Sequence, residues 1–107
     1  MTNSRDKGKR GELEIAHILQ ERGFDARRGQ QYSGLNGDAD VVGLPGFHIE
    51  VKRTEEFRLW RALDQAARDA REHETPVVFH RRNGSKWVAV LMLDDFLDLV
   101  EEAKNGD

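Results

Sequence analysis

Residues 40–52 read Asp-Val-Val-Gly-Leu-Pro-Gly-Phe-His-Ile-Glu-Val-Lys, two apolar stretches either side of a turn composition. This pattern predicts a β-hairpin, with 40–43 as one strand, Leu44-Pro45-Gly46 as the turn and 47–53 as the other strand. Apolar and polar residues alternate in the second strand. Strand side chains point to opposite faces with period two, so Phe47, Ile49 and Val51 share one face and His48, Glu50 and Lys52 the other. The Cα atoms of Glu50 and Lys52 then lie roughly 6.5 Å apart, at about 3.3 Å rise per residue. Alone, Glu-x-Lys on a strand is a frequent solvated pattern. Two carboxylates and an ammonium converging beside a sheet, however, are able to hold a divalent metal and direct attack on a phosphodiester. Asp40 and Glu50 are the candidate carboxylates, and Lys52 is the ammonium.

A third carboxylate stands in an unusual place. Residues 7–22 predict a helix whose apolar positions are Leu13, Ile15, Ala16, Ile18 and Leu19. With Glu12 set at zero and about 100° per residue, they fall near 100°, 300°, 40°, 240° and 340°. Glu12 therefore sits within the apolar stripe. A buried carboxylate is costly unless it is paired or binds metal. The alternative is a Glu near a first turn, where the positive helix end favours an anion. Gly8 and Gly11 are poor helix formers and mark either a close backbone approach, to a phosphate or a dimer mate, or a late helix start. Arg5, Lys9 and Arg10 crowd this end, itself an anion-binding place.

The remaining elements follow from local signals. Gly23 stops the helix, and 24–28 alternates as a first strand carrying Arg27 and Arg28. Residues 29–37 are polar and glycine-rich, hence a loop. A second helix is predicted over 57–73, with Leu59, Trp60, Leu63, Ala66, Ala67 and Ala70 inward and Arg58, Arg61, Gln65 and Arg68 outward. Two strands, 76–80 and 86–92, flank an Asn83-Gly84 turn. The apolar run 88–93 suits a strand covered on both faces. Asp94 is the expected cap of a last helix whose Phe96, Leu97, Leu99 and Val100 pack on the sheet. The expectation is one α/β domain spanning 1–107, with a central mixed sheet of about five strands flanked by helices.

Composition narrows the function classes. The chain has 107 residues and no cysteine, which excludes disulfides and thiolate metal sites. No apolar run is long enough to span a membrane, and the N-terminus lacks a signal peptide's apolar region, so a cytoplasmic protein is expected. The net charge of −3 runs against the basic footprint of a DNA binder. Its distribution removes much of that conflict. Residues 93–107 hold six acids and one base, and the rest of the chain carries 16 bases and 14 acids.

Gly8-Lys9-Arg10-Gly11-Glu12, Ser33-Gly34, Asp40-Val41-Val42 and Glu50-Val51-Lys52 together resemble the PD-(D/E)xK nuclease superfamily. The likeness is to the archaeal-type Holliday junction resolvases and their phage relatives, and it extends over nearly the whole chain. The resemblance implies a restriction-endonuclease-like core and a homodimer that hydrolyses DNA at four-way junctions. It also implies two Mg²⁺ per active site, with Mn²⁺ able to substitute. Glu12, Asp40 and Glu50 would be metal ligands together with the Val51 carbonyl, Lys52 would stand at the attacking water or scissile phosphate, and Ser33 would act from its loop. DNA contacts are expected from Arg5, Lys9, Arg10, Arg27, Arg28, Ser33, Arg53, Arg61 and Gln65. Two departures stand out: Ala39 replaces the usual proline before the motif aspartate, and the serine loop reads Tyr32-Ser33-Gly34. A restriction-like or repair nuclease with the same residues, and a non-catalytic DNA-binding module of the same fold, are the rival readings.

Overall fold

The computed structural model describes residues 4–30 and 39–106, so Ser33 and Asp38 lie outside the described residues. The elements run α1 (Ser4–Glu21), β1 (Arg27–Arg28), β2 (Val41–Val42), β3 (Phe47–Arg53), α2 (Leu59–Asp69), β4 (Thr75–Arg81), β5 (Val88–Val90) and α3 (Leu93–Asn105). The strands form one sheet in the order β1-β2-β3-β4-β5. The β3–β4 pair is parallel and the other three pairs are antiparallel. The chain is thus an α/β fold with a five-stranded mixed sheet flanked by helices.

The hairpin forms as its composition dictates. Val41 pairs with Ile49, and Gly43 and Gly46 take positive φ at the turn, a conformation that costs glycine little. The period of two in β3 then divides the core. Ile49 and Val51 join Ile15 and Ala16 of α1, Ala26, Val41 and Val77 in one cluster. Val78, one residue on in β4, belongs to a second cluster with Ala62, Leu63 and Ala66 of α2. The two helices therefore cover opposite faces of the sheet. His48, Glu50 and Lys52 turn toward the α2 side. Because β3 is central and covered on both faces, His48 and Glu50 are each only 4% exposed.

Several expectations are corrected. The α1 helix begins by Ser4, which removes the late start. The close approach at Gly11 is to the chain's own β3, since a Cβ there would lie 2.7 Å from Arg53 Cβ. At Gly8 nothing lies within 4 Å of such a Cβ. The β5 strand is short, has a neighbour on one side only and leaves Val88 51% exposed, so it is an edge and not a doubly covered strand. Trp60 is 66% exposed and Ala67 is exposed, because α2 buries only Ala62, Leu63 and Ala66. Helix α3 buries none of its residues, and Phe96, Leu97 and Val100 are exposed instead of packing on the sheet. Its cap position is Met92, with no side-chain cap, and Asp94 lies in the first turn, where the helix dipole favours it. Among the described residues, no helix is long and apolar enough to cross a membrane.

Candidate active site

Asp40 is placed by the start of the hairpin. Its N–H donates to the Ile49 carbonyl at 3.0 Å. The β2 strand begins only at Val41, so the next β3 amide facing that side meets a side chain where a ladder carbonyl would otherwise stand. The Val51 N–H donates to Asp40 Oδ2 at 2.8 Å. This brings the Asp40 carboxylate beside Glu50, which projects from β3 toward α2.

The two carboxyl groups are in hydrogen-bonding contact, and their electrostatics diverge. Burial, then repulsion from Glu50, pushes Asp40 up to about 7, against the Val51 N–H that pulls it down. Burial also works to raise Glu50. The His48 hydrogen bond, the one from Asp40 and the charges of His48 and Lys52 outweigh it, leaving Glu50 below the usual carboxylate range. Asp40 thus resists ionisation beside Glu50, and a cation bound between them would relieve that repulsion.

Both open onto a cleft of about 620 Å³ whose wall also includes Lys7, Gly8, Glu12, Val51, Lys52 and Gln65. Lys52 Nζ donates to Gln65 Oε1 of α2 at 3.4 Å, which holds the ammonium at the cleft. Glu12 is on the inward side of α1, as its wheel position predicts. Its carboxylate accepts from Arg28 Nε at 3.0 Å, so its partner is an arginine. The sequence-predicted set of Glu12, Asp40, Glu50, Val51 and Lys52 therefore lines one cavity. The buried Glu50 and half-buried Asp40 carboxylates, with water-sized space in front of them, are hard oxygen donors of the kind a divalent cation such as Mg²⁺ takes.

The cations expected on DNA divide into several groups. Arg10 and Arg53 line an adjoining pocket of about 380 Å³ that shares Lys7 and Arg53 with the main cleft. Arg61, Gln65 and Lys52 line another of about 400 Å³ on the α2 side. Arg5, Lys9 and Arg27 are exposed. Arg28 and Arg53 are engaged within the fold, Arg28 by Glu12 and Arg53 by Glu14 at 3.7 Å. Glu14 also pairs with Arg81 and accepts from Trp87 Nε1 at 3.4 Å, tying α1 to β3, β4 and the segment before β5.

The local sequence does not assign a partner to His48. Its Nε2 donates to Glu50 Oε1 at 2.8 Å, and its Nδ1 lies 3.8 Å from Glu74 Oε1. Its ionisation is shifted upward, chiefly by the bond to Glu50. His48, Glu50 and Asp69 place potential ligand atoms within 4.8 Å of one another, the one such group among the described residues. Glu12 does not complete an equivalent group with Asp40 and Glu50. The period-two spacing of His48 and Glu50 was the available signal, but the approach of Asp69 and Glu74 depends on where α2 ends. No protein-family profile matches the chain, and a comparison with curated proteins finds no match either.

Proposed function

We propose that the chain is a Mg²⁺-dependent endonuclease that hydrolyses phosphodiester bonds in branched DNA, with four-way junctions as its substrate. The observation that carries this reading is the pair of half-buried Asp40 and buried Glu50 opening onto the same cleft as Lys52. Asp40 and Glu50, with the Val51 carbonyl, would hold the cation, and Glu12 would complete a second site or hold a water. Bound Mg²⁺ lowers the pKa of a water and stabilises a leaving oxygen. Lys52, steadied by Gln65, orients the nucleophile or offsets charge growing on the phosphate. Cations in the adjoining pockets position the duplex through phosphate contacts, without reading sequence.

Symmetric cutting of a junction needs two active sites, hence a homodimer with twofold symmetry. The same proposal takes the activity to be cytoplasmic. The test is incubation with a labelled four-way junction and, separately, its component duplex arms, with and without Mg²⁺ and with Mn²⁺. Junction-specific, metal-dependent cleavage that vanishes in Glu50→Gln is the expected result. Equal cutting of the arms favours the restriction-like or repair reading. Binding without cleavage favours a non-catalytic DNA module.

A further inference from the structure

We infer that His48 is a positioning residue that fixes the Glu50 carboxylate for cation binding, with the Glu74 carboxylate, just before β4, close to its other edge. This rests on the metal-site reading above and adds a residue to it.

The contacts form a chain. The Arg71 N–H donates to Glu74 Oε1 at 2.8 Å, which fixes that carboxylate to the backbone just after α2. The same oxygen lies 3.8 Å from His48 Nδ1. On the other edge of the ring, Nε2 donates to Glu50 Oε1 at 2.8 Å. The residue is 4% exposed, so the bond from Nε2 to Glu50 forms away from bulk solvent. A pocket of about 510 Å³, between the hairpin turn and the end of α2, has His48, Asp69 and Glu74 in its wall. The imidazole therefore separates that pocket from the main cleft, and only its Nε2 edge faces the candidate site.

The geometry has a chemical consequence. Glu50 Oε1 accepts from His48, which fixes the plane and direction of the carboxylate that would be presented to a cation. Partners that hold a ligating carboxylate are worth about 10–100-fold in metal affinity. Glutamine at position 48 would carry a donor where Nε2 now stands, whereas leucine fills the space without one.

The test is calorimetric titration of Mn²⁺ into wild type, His48→Leu, His48→Gln and Asp69→Asn at about pH 8, without DNA. The dissociation constant is expected to rise about tenfold in His48→Leu and to return to within about threefold of wild type in His48→Gln. Asp69→Asn is expected to leave it unchanged. If His48→Leu does not fold, His48→Asn, whose shorter side chain does not span to Glu50, replaces it with the same expectation. Equal affinity in wild type and His48→Leu overturns the positioning role alone. Loss in both His48→Gln and Asp69→Asn overturns it in favour of His48 as a direct ligand. No Mn²⁺ uptake by wild type overturns this inference and the metal-site reading together.

Discussion

The amide of Val51 and the carboxylate of Asp40 are joined across 2.8 Å, where β2 has not yet begun. One side chain thus both completes the edge of the hairpin and presents negative charge to the cleft. These two tasks separate by mutation. Asp40→Asn keeps an acceptor for the amide and removes repulsion with Glu50, so metal-free stability is expected to hold or rise. Asp40→Ala leaves the Val51 N–H without that acceptor and is expected to be less stable than Asp40→Asn by about 1–3 kcal/mol. Urea denaturation of both variants checks the order. Both are expected to lose junction cleavage by at least about 100-fold.

The pH dependence of stability follows from the same pair. Asp40 is raised from 3.8 to about 7, so its folded form holds a proton that the unfolded chain releases. That contribution is present below about 4 and lost as pH climbs through about 7. His48 is raised as well and loses its contribution in the same direction, with rising pH. Glu50 is lowered from 4.5, so its contribution persists above that value and fades only on acidification. The melting temperature of metal-free protein is therefore expected to fall between about pH 5.5 and 8. Added Mg²⁺ is expected to flatten the curve by neutralising the ionised pair. Thermal melts in chelator and in Mg²⁺ test this, and a metal-free melting temperature that rises with pH over that range contradicts it.

On the proposed reading, Lys52 and Gln65 act on the reaction and not on the cation. Lys52→Met is expected to lower the single-turnover cleavage rate about 100-fold, the scale of removing one charge-stabilising donor. Mn²⁺ affinity is expected to stay within about threefold of wild type. Gln65→Ala releases the ammonium without deleting it, and a smaller loss of about three- to tenfold is expected. Rapid-quench kinetics at saturating Mg²⁺ separate the two effects.

Gly43 is the position where the backbone leaves no choice of residue. Its φ is +107°, and a Cβ there would lie 2.1 Å from the Asp25 carbonyl oxygen and 2.6 Å from Ala26 Cα. Both neighbours are backbone, so neither moves without disturbing the entry to β1. Gly43→Ala is expected to destabilise the fold by about 3 kcal/mol or more, from strain and overlap together. Gly8→Ala meets nothing within 4 Å and is expected to be neutral or slightly stabilising. Chemical denaturation of the two variants gives the comparison.

The parts of the site that were legible are those fixed by local periodicity. Alternation in 47–53 assigns Ile49 and Glu50 to opposite faces, and the helical wheel turns Glu12 inward beside Ala16. The Asn83-Gly84 turn and the order of elements are local signals too. What escaped depends on distant packing. The run 88–93 is apolar enough for a central strand, yet β5 lies at the edge because no sixth strand follows it among the described residues. Trp60 satisfies the α2 wheel, but the covered surface of that helix is confined to Ala62, Leu63 and Ala66. The apolar residues of α3 have helical spacing and still find no place on the sheet. Likewise, His48 carries no sign in the sequence that Glu74, 26 positions later, will close against it.

The division of labour along β3 also limits how this chain is able to change. Phe47, Ile49 and Val51 supply hydrocarbon to the α1 side, and His48, Glu50 and Lys52 supply polar and charged groups to the other. A single inserted or deleted residue in 47–53 that shifted the strand by one place would drive Glu50 into the oily layer and put Ile49 at the cleft. Length variation in this strand is therefore tolerated only in steps of two or by a compensating bulge, and a frame error would abolish folding and chemistry together.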